Sequence, residues 1–353
     1  MAYFFGKEVR RNVKNPSISV VIVNWNHGFL LRNCLEALLA QKSALFDITV
    51  VDNGSQDGSA KEISVRYPSV QLRAFPDNRG FSRAFNWGVN HTTGDFVLSL
   101  NPDVIVRQGF VLKMAKAMCR DEQIGLVAPK LLRADAPALL DSTGLFVDRR
   151  RCPYDRGQCE PDRGQYDKQL CIFGACGAAA LYRRTMLEDL ALNGEYFDQD
   201  FFAYYEDADL AWRAQSRRWC AVYEPGAVAT HDRGWGDALH KRGRAAKGSE
   251  GPRLALRNRY LMTVKNDNLT YFLDDLLLIL AAELPRLAYS ALARPKVLLG
   301  IPDMIRVLPS ALAKRLRIRS RRIVEDAIVR RWFVTPLEAA GSGVDIEDSA
   351  GLL

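Results

Sequence analysis

Three carboxylates fall within four positions at Glu206-Asp207-Ala208-Asp209, directly after the aromatic run Phe201-Phe202-Ala203-Tyr204-Tyr205. Carboxylates this close repel one another unless something compensates. The start of a helix does so through its partial positive charge and unpaired N–H groups. Asp209 and Arg213 stand four apart, the spacing of an ion pair along a helix. Glu206 suits a capping or orienting role. Asp207 is left as the candidate general base, although a plain acidic helix start reads from the same residues.

Two further residues have the chemistry of a metal site. Asp103 follows Pro102, just past the apolar run Phe96-Val97-Leu98-Ser99-Leu100. A hard divalent cation is commonly held by one carboxylate together with phosphate oxygens. His231, one of four histidines, stands beside Asp232, and an imidazole completes a site of the Mg2+ or Mn2+ kind. Taken singly, an Asp after a strand is more often a turn residue and a lone His more often structural. Asp52 ends a second apolar run. Its carboxylate can accept a hydrogen bond from a pyrimidine ring N–H, or share a helix cap with Ser55. Asn78-Arg79-Gly80-Phe81-Ser82-Arg83 adds donors and, in Arg83, a cation.

The hydropathy pattern supplies elements to bring these residues together. Ile18-Ser19-Val20-Val21-Ile22-Val23 predicts a buried strand, and Leu31, Cys34, Leu35, Leu38 and Leu39 recur at helical spacing. A second strand over 48–51, a polar helix to Tyr67, a third strand over 70–75, a helix over 81–89 and a fourth strand over 96–100 follow. The alternation predicts an α/β fold with a mostly parallel, Rossmann-like sheet covered by helices on both faces. Each strand ends in polar or turn residues: Asn24-Trp25-Asn26, Asp52-Asn53-Gly54-Ser55, Asp77-Asn78-Arg79-Gly80 and Asn101-Pro102-Asp103. Ligands of open parallel sheets sit outside the carboxyl ends of the strands, so four such ends converge on one crevice. Later strands are predicted over 124–128 and 177–182, hairpins or a substrate loop over the aperiodic stretch 133–170, and a mobile glycine-rich loop over 232–251. No GxGxxG or Walker-type loop follows the first strand, which argues against dinucleotide or P-loop binding.

The 353 residues are 48% hydrophobic and 25% charged, a balance that argues against a disordered or fibrous chain. No uncharged apolar run reaches membrane-spanning length, and residues 276–284, apolar except for Glu283, are too few to cross a bilayer. The first residues lack the pattern of an export signal. Seven cysteines, an odd number, then fit reduced thiols in the cytosol, and the spacing of Cys152, Cys159, Cys171 and Cys176 misses the paired zinc-ligand pattern. The net charge of +8 is concentrated: residues 286–331 hold 12 Lys/Arg against 3 Asp/Glu. Interleaved with apolar residues over 287–318, these cations suit a helix lying in the membrane interface, or a helical pair capping the preceding domain. The expected organisation is a leader over 1–16, an α/β domain over 17–251, a basic helical region over 252–335 and a flexible tail over 336–353.

Five segments in order resemble the family 2 inverting glycosyltransferases with the GT-A fold. They are Val20-Val21-Ile22-Val23-Asn24-Trp25-Asn26, the run from Val50 through Asp52-Asn53-Gly54-Ser55 to Ser59, Asn78-Arg79-Gly80-Phe81 with Asn86-Trp87-Gly88, Leu100-Asn101-Pro102-Asp103, and Tyr205-Glu206-Asp207-Ala208-Asp209-Leu210. Their spacing is similar to the rhamnosyltransferase branch that builds bacterial cell-surface polysaccharide on a lipid carrier. The likeness spans residues 17–235; beyond it, Arg257-Asn258-Arg259-Tyr260 and the basic helices resemble that branch more loosely. The resemblance implies that Asp52 contacts the nucleotide base, with Asn24, Asn78, Arg83 and Asn101 around the nucleotide-sugar. It implies that Asp207 is the base, that Glu206 orients the acceptor, and that Asp103 is the last acid of an Asp-X-Asp metal motif whose first acid is Asn101 here. His231 would complete the coordination of Mg2+ or Mn2+. It further implies a nucleotide-sugar donor, expected to be dTDP-rhamnose, and a lipid-linked or glycan acceptor. The enzyme would be cytoplasmic, held peripherally on the anionic inner face of the cell membrane by its basic C-terminal helices, with no nucleic-acid partner. Two readings compete. A sugar-nucleotide nucleotidyltransferase needs a glycine-rich loop that Asn24-Trp25-Asn26-His27-Gly28 does not supply, and a non-catalytic basic protein would bind membrane or nucleic acid without turning over a donor.

Overall fold

The computed structural model describes residues 16–42, 46–233, 249–335 and 338. β1 (Ile18–Asn24) is an interior strand of the sheet, seven residues long and buried throughout. Alternate side chains part to the two faces, as strand geometry requires. Val21 and Val23 enter a core with Phe85 and Tyr182, while Val20 and Ile22 enter one with Leu31, Leu35 and Leu38. The last three come from α1 (Gly28–Leu39) at the helical spacing seen in the sequence. β2 (Phe46–Asp52) and, after α2 (Ser59–Arg66), β3 (Gln71–Ala74) extend the sheet on one side of β1. After α3 (Phe81–Asn90), β4 (Phe96–Leu100) lies on the other side, all four strands being parallel. A Cβ at Gly88 of α3 would stand 2.4 Å from Val21 Cγ1, so this close approach of helix to strand needs glycine.

Past β4 the sheet is mixed. β5 (Val104–Val106) and α4 (Phe110–Met118) lead to β6 (Ile124–Arg133) and β7 (Leu140–Ser142), then to a hairpin of β8 (Leu145–Val147) and β9 (Pro153–Asp155). β10 (Cys171–Ile172) follows, and β11 (Ala179–Arg183) inserts antiparallel between β4 and β6. α5 (Arg184–Leu190) and α6 (Glu206–Ser216) return the chain to β12 (Cys220–His231), which pairs parallel with β6 and, at its end, antiparallel with β5. The aperiodic stretch 133–170 thus contains short strands and a hairpin. Of the expected glycine loop, residues 234–248 lie outside the described residues, as do residues 1–15 of the leader and the tail apart from residue 338.

The C-terminal layer consists of α7 (Glu250–Asn266), α8 (Leu269–Asp274), α9 (Leu276–Ala293), α10 (Gly300–Arg321) and α11 (Asp326–Arg330). Buried ion pairs fasten it to the sheet domain. Lys265, fully buried, lies 2.5 Å from Asp198 and 2.8 Å from Asp209. Lys314 bonds Asp198 and Asp200, and Arg151 bonds Asp267 at 2.7 Å and Asp275 at 2.6 Å. Removing one partner from such a pair leaves a buried charge uncompensated, at a cost of about 3–5 kcal/mol.

Two sequence expectations change in this layer. First, α9 does not stop near residue 284. It runs 18 residues through Pro285 and is, by length and composition alone, long and apolar enough to cross a membrane. Its buried face is Ile279, Glu283 and Ser290, with Glu283 held by Arg259 at 2.5 Å and Tyr260 at 2.6 Å. Pro285 lies on the exposed side, where solvent can bond the carbonyl that its missing N–H leaves free. Second, the basic block is partly engaged within the chain. Lys314, Arg315, Arg317, Arg321, Arg322 and Arg330 bond Asp198, Val264, Asn193, Ala191, Asn266 and Asp275 respectively. Lys296 and Arg306 stay exposed.

Candidate active site

Strand register sets the polar ends side by side. Asn24 lies opposite Asp52, Ile22 opposite Leu100, and Leu100 opposite Ala179. The Asn101 N–H donates to the carbonyl of Ala178 at 2.8 Å. The carboxyl ends of β1, β2 and β4 therefore share one rim. On it Asn24 Nδ2 donates to Asp52 Oδ2 at 2.9 Å, Ser55 Oγ at 3.2 Å and Ser59 Oγ at 2.9 Å, while the Ser55 N–H donates to Asp52 Oδ1 at 2.9 Å. Asp52 is only 2% exposed and ties the β1 and β2 loops together; Asn24 Oδ1 is left without a partner. Asn78 Oδ1 accepts from Asn53 Nδ2 and from the Gly80 N–H, each at 2.9 Å, closing the turn into α3. Asn101 is half-buried at the end of β4. Arg83 stands apart from this network, exposed on α3 and paired with no carboxylate among the described residues.

Antiparallel pairing of β5 with β12 brings Asp103 to His231, with 3.5 Å between Oδ1 and Nε2. The other ring nitrogen, Nδ1, lies 2.8 Å from Oδ2 of the fully buried Asp141. Arg233 Nε reaches the other Asp141 oxygen at 2.5 Å and its guanidinium also bonds Asp155. Burial by itself favours the neutral imidazole, but Asp103 and Asp141 outweigh it and hold His231 up to about 9. Asp103 Oδ1 is buried with no hydrogen-bond partner. Asp103 Oδ1 faces a protonated ring at 3.5 Å, and a divalent cation held by Asp103 and His231, with phosphate oxygens and water, would have to displace the Nε2 proton. Among the described residues no three histidine, cysteine or acidic side chains gather as an all-protein cage.

Asp207 adjoins the same rim. The Gly177 N–H donates to its Oδ2 at 2.8 Å, so a single peptide link separates this contact from the one between Ala178 and Asn101. The Ala208 N–H, in the first turn of α6, donates to Asp207 Oδ1 at 2.8 Å. Burial raises the proton affinity of Asp207; these N–H bonds oppose it, and the charge of Asp155 adds to it. Glu206 is buried, its Oε2 has no partner, and burial followed by the Asp207 charge pushes it up to about 8. Asp209 turns away into the protein, bonding Arg213 at 3.0 Å as its spacing indicates, and also Lys265.

The structure thus joins Asn24 with Asp52, Asp103 with His231, and Asp207 with the rim through Gly177. Sequence reasoning missed Asp141, Asp155, Arg233 and Gly177. The first two lie in the aperiodic stretch, and Asp141 meets His231 from 90 positions away, so no local pattern marks either.

Polar strand ends on one rim, faced by a helix-mouth carboxylate, match the plan of a nucleotide-sugar glycosyltransferase of the GT-A fold. Residues 19–191, just under half of the chain, match the model of glycosyl transferase family 2. It is 25% identical over 239 residues to N-acetylglucosaminyl-diphospho-decaprenol L-rhamnosyltransferase of Mycobacterium tuberculosis, covering 61% of this chain and 75% of that one. In fold it is similar to GalNAc-T7, whose crystal structure contains UDP, GalNAc and Mn2+ (TM-score 0.54, 14% identity, 72% of this chain and 48% of that one, about half its length). It is similar also to the mannosyltransferase PcManGT of Pyrobaculum calidifontis in complex with GDP-Man and Mn2+ (TM-score 0.51, 20% identity, 93% of this chain and 86% of that one).

Proposed function

We propose that the protein is an inverting glycosyltransferase of bacterial cell-surface glycan synthesis that moves rhamnose from dTDP-rhamnose onto a lipid-linked or polysaccharide acceptor. The observation that carries the reaction class is Asp207. Two N–H groups orient its carboxylate at the rim while burial raises its proton affinity, as suits a base that must take a proton from an alcohol. The donor lies across the strand ends, its base and ribose against Asn24 and Asp52, its sugar diphosphate along Asn78, Asn101 and Arg83. Asp103, with His231 once its Nε2 proton is displaced, would hold Mg2+ or Mn2+, which when bound would offset charge growing on the departing nucleoside diphosphate. Glu206 orients the acceptor. The acceptor hydroxyl attacks the anomeric carbon from the face opposite the diphosphate, its proton passes to Asp207, and the bond from sugar to phosphate breaks as the new one forms. Base catalysis of this kind contributes roughly 100- to 10,000-fold. The rhamnosyl donor and lipid-linked acceptor are supported by the mycobacterial relative's name.

Attachment to an anionic inner membrane surface is supported by the C-terminal layer. Leu277, Leu292, Ile305 and Leu316 are exposed on α9 and α10, and the cations Lys296 and Arg306 are exposed in the same stretch of chain. The tests are a donor panel and a vesicle pull-down. Transfer from dTDP-rhamnose with an inverted anomeric centre, stopped by chelator, is expected; retention of configuration refutes the mechanism, and turnover of another donor alone refutes the rhamnose assignment. Vesicles containing anionic phospholipid should bind the protein in a salt-sensitive manner, and absence of binding rules out the membrane role.

A further inference from the structure

The residues leading into α6 hold a conformation that their side chains oppose. Phe202, Tyr204 and Tyr205 have φ of 63°, 74° and 70°, in the left-handed region that residues other than glycine seldom enter. Three such residues directly before Glu206 and Asp207 persist only where surrounding structure over-determines them. The surroundings here come from α7. Asn258 is fully buried, and its Nδ2 donates toward the carbonyl oxygens of Phe201 at 2.8 Å, Ala203 at 2.7 Å and Tyr204 at 2.8 Å. Arg257 Nε donates to Asn258 Oδ1 at 2.8 Å, which fixes the facing of the carboxamide. Arg257 Nη2 donates to the carbonyls of Asp200 and Phe201, each at 2.7 Å. The remaining carbonyl, that of Phe202, accepts the Ser82 N–H at 3.2 Å, and the Phe202 ring fills the space where a Cβ on Gly80 would stand, 2.6 Å from Phe202 Cδ2. The loop is clamped by α7 on one side and by the β3–α3 turn of the donor rim on the other.

We infer that Asn258, oriented by Arg257, is a positioning residue for sugar transfer: it sets the left-handed loop that presents Asp207 at the rim. The site is then completed by a helix outside the family-matched segment 19–191. This inference rests on the reading of Asp207 as the base. A residue that only supports folding changes the amount of folded protein; a positioning residue lowers turnover in protein that is folded and binds donor.

The test uses the full chain and measures nucleoside diphosphate release from dTDP-rhamnose, UDP-GlcNAc and GDP-mannose, the donor that wild type turns over serving throughout. Asn258→Ala is expected to lower kcat by about 100-fold, the cost of a misplaced reacting group, while donor KM stays within about threefold. Adding Tyr204→Gly to Asn258→Ala is expected to recover about 10-fold of kcat, since glycine takes the left-handed conformation unopposed. Unchanged kcat, a parallel loss of kcat and donor affinity, or no recovery with Tyr204→Gly overturns the inference. Asn258→Ser, which keeps one donor, is read in the same way if Asn258→Ala lacks a cooperative melt; loss of cooperative melting in both makes Asn258 a folding residue and also overturns it. Asp207→Asn is run alongside. Full turnover there removes the base assignment and the inference with it, whereas loss of turnover there with normal kcat in Asn258→Ala removes the positioning role alone.

Discussion

The two sides of the crevice are built on opposite terms. At the ends of β1 and β2 the polar groups satisfy one another: Asn24, Asp52, Ser55 and Ser59 form one bonded set, Asn53 and Asn78 another, and only Asn24 Oδ1 is left over. At the mouth of α6 and the β5–β12 pair, demand is unmet. Asp103 Oδ1 is buried with only the His231 ring facing it at 3.5 Å, Glu206 Oε2 is buried without a hydrogen-bond partner, and Glu206, Asp207 and His231 all bind protons more tightly than usual. A shelf that only receives a ligand can be finished before the ligand arrives. The reacting side must keep capacity for a cation and a proton, and unpaired buried oxygens are destabilising. Around it stand the buried ion pairs of Lys265 with Asp198 and Asp209 and of Arg213 with Asp209, which hold α6 in place against that cost.

This contrast can be broken from either side. After Asp207 itself, the largest effect is expected from Asp103→Asn, which removes the carboxylate charge facing His231: transfer falls by about 100-fold, while dTDP binding in the presence of chelator matches wild type. Asp141→Asn acts one layer back, leaving His231 in place without the charge behind it. Calorimetric titration of Mn2+ in the presence of dTDP should show affinity lowered about 10-fold or more. On the finished side, Asn24→Ala unties three acceptors at once. Denaturant melts should show a loss of about 1–3 kcal/mol, and donor KM should rise with little change in kcat. The smallest effect on transfer belongs to Glu206→Gln, which is read instead through stability. With its folded value near 8 against the ordinary 4.5, Glu206 keeps its proton in the native state where the unfolded chain has released it. Wild type therefore loses stability as pH rises from about 5 to about 8, and Glu206→Gln, having no proton to lose, should gain on wild type by about 1.4 kcal/mol for each pH unit in that range. A pH-independent difference between the two melts would remove Glu206 as the strained group.

How much could be read from the chain follows from range. The parallel strands and their polar ends were legible because period and punctuation are local, and the Asp209–Arg213 pair was legible because four residues make one helical turn. The partnership of Asp141 with His231 was not, since it is made by strand pairing between distant segments. The basic C-terminal block misled in part: a count of cations does not tell which are taken up, and Lys314 proved to be buried against Asp198 and Asp200. α9 outran its expected end because a proline on an exposed helix face leaves a carbonyl that solvent can reach. The clamp of Asn258 on the Phe201–Tyr204 carbonyls was invisible for a further reason: left-handed aromatic residues carry no sequence signature.

The central claim is that the donor is gripped at the strand ends while Asp207 acts only on the acceptor, and the Asp207→Asn protein separates the two most directly. Calorimetry with dTDP and a transfer assay on the same preparation should show nucleotide affinity within about twofold of wild type and transfer reduced by about 100-fold or more. Transfer at the wild-type rate in that folded variant would contradict the account.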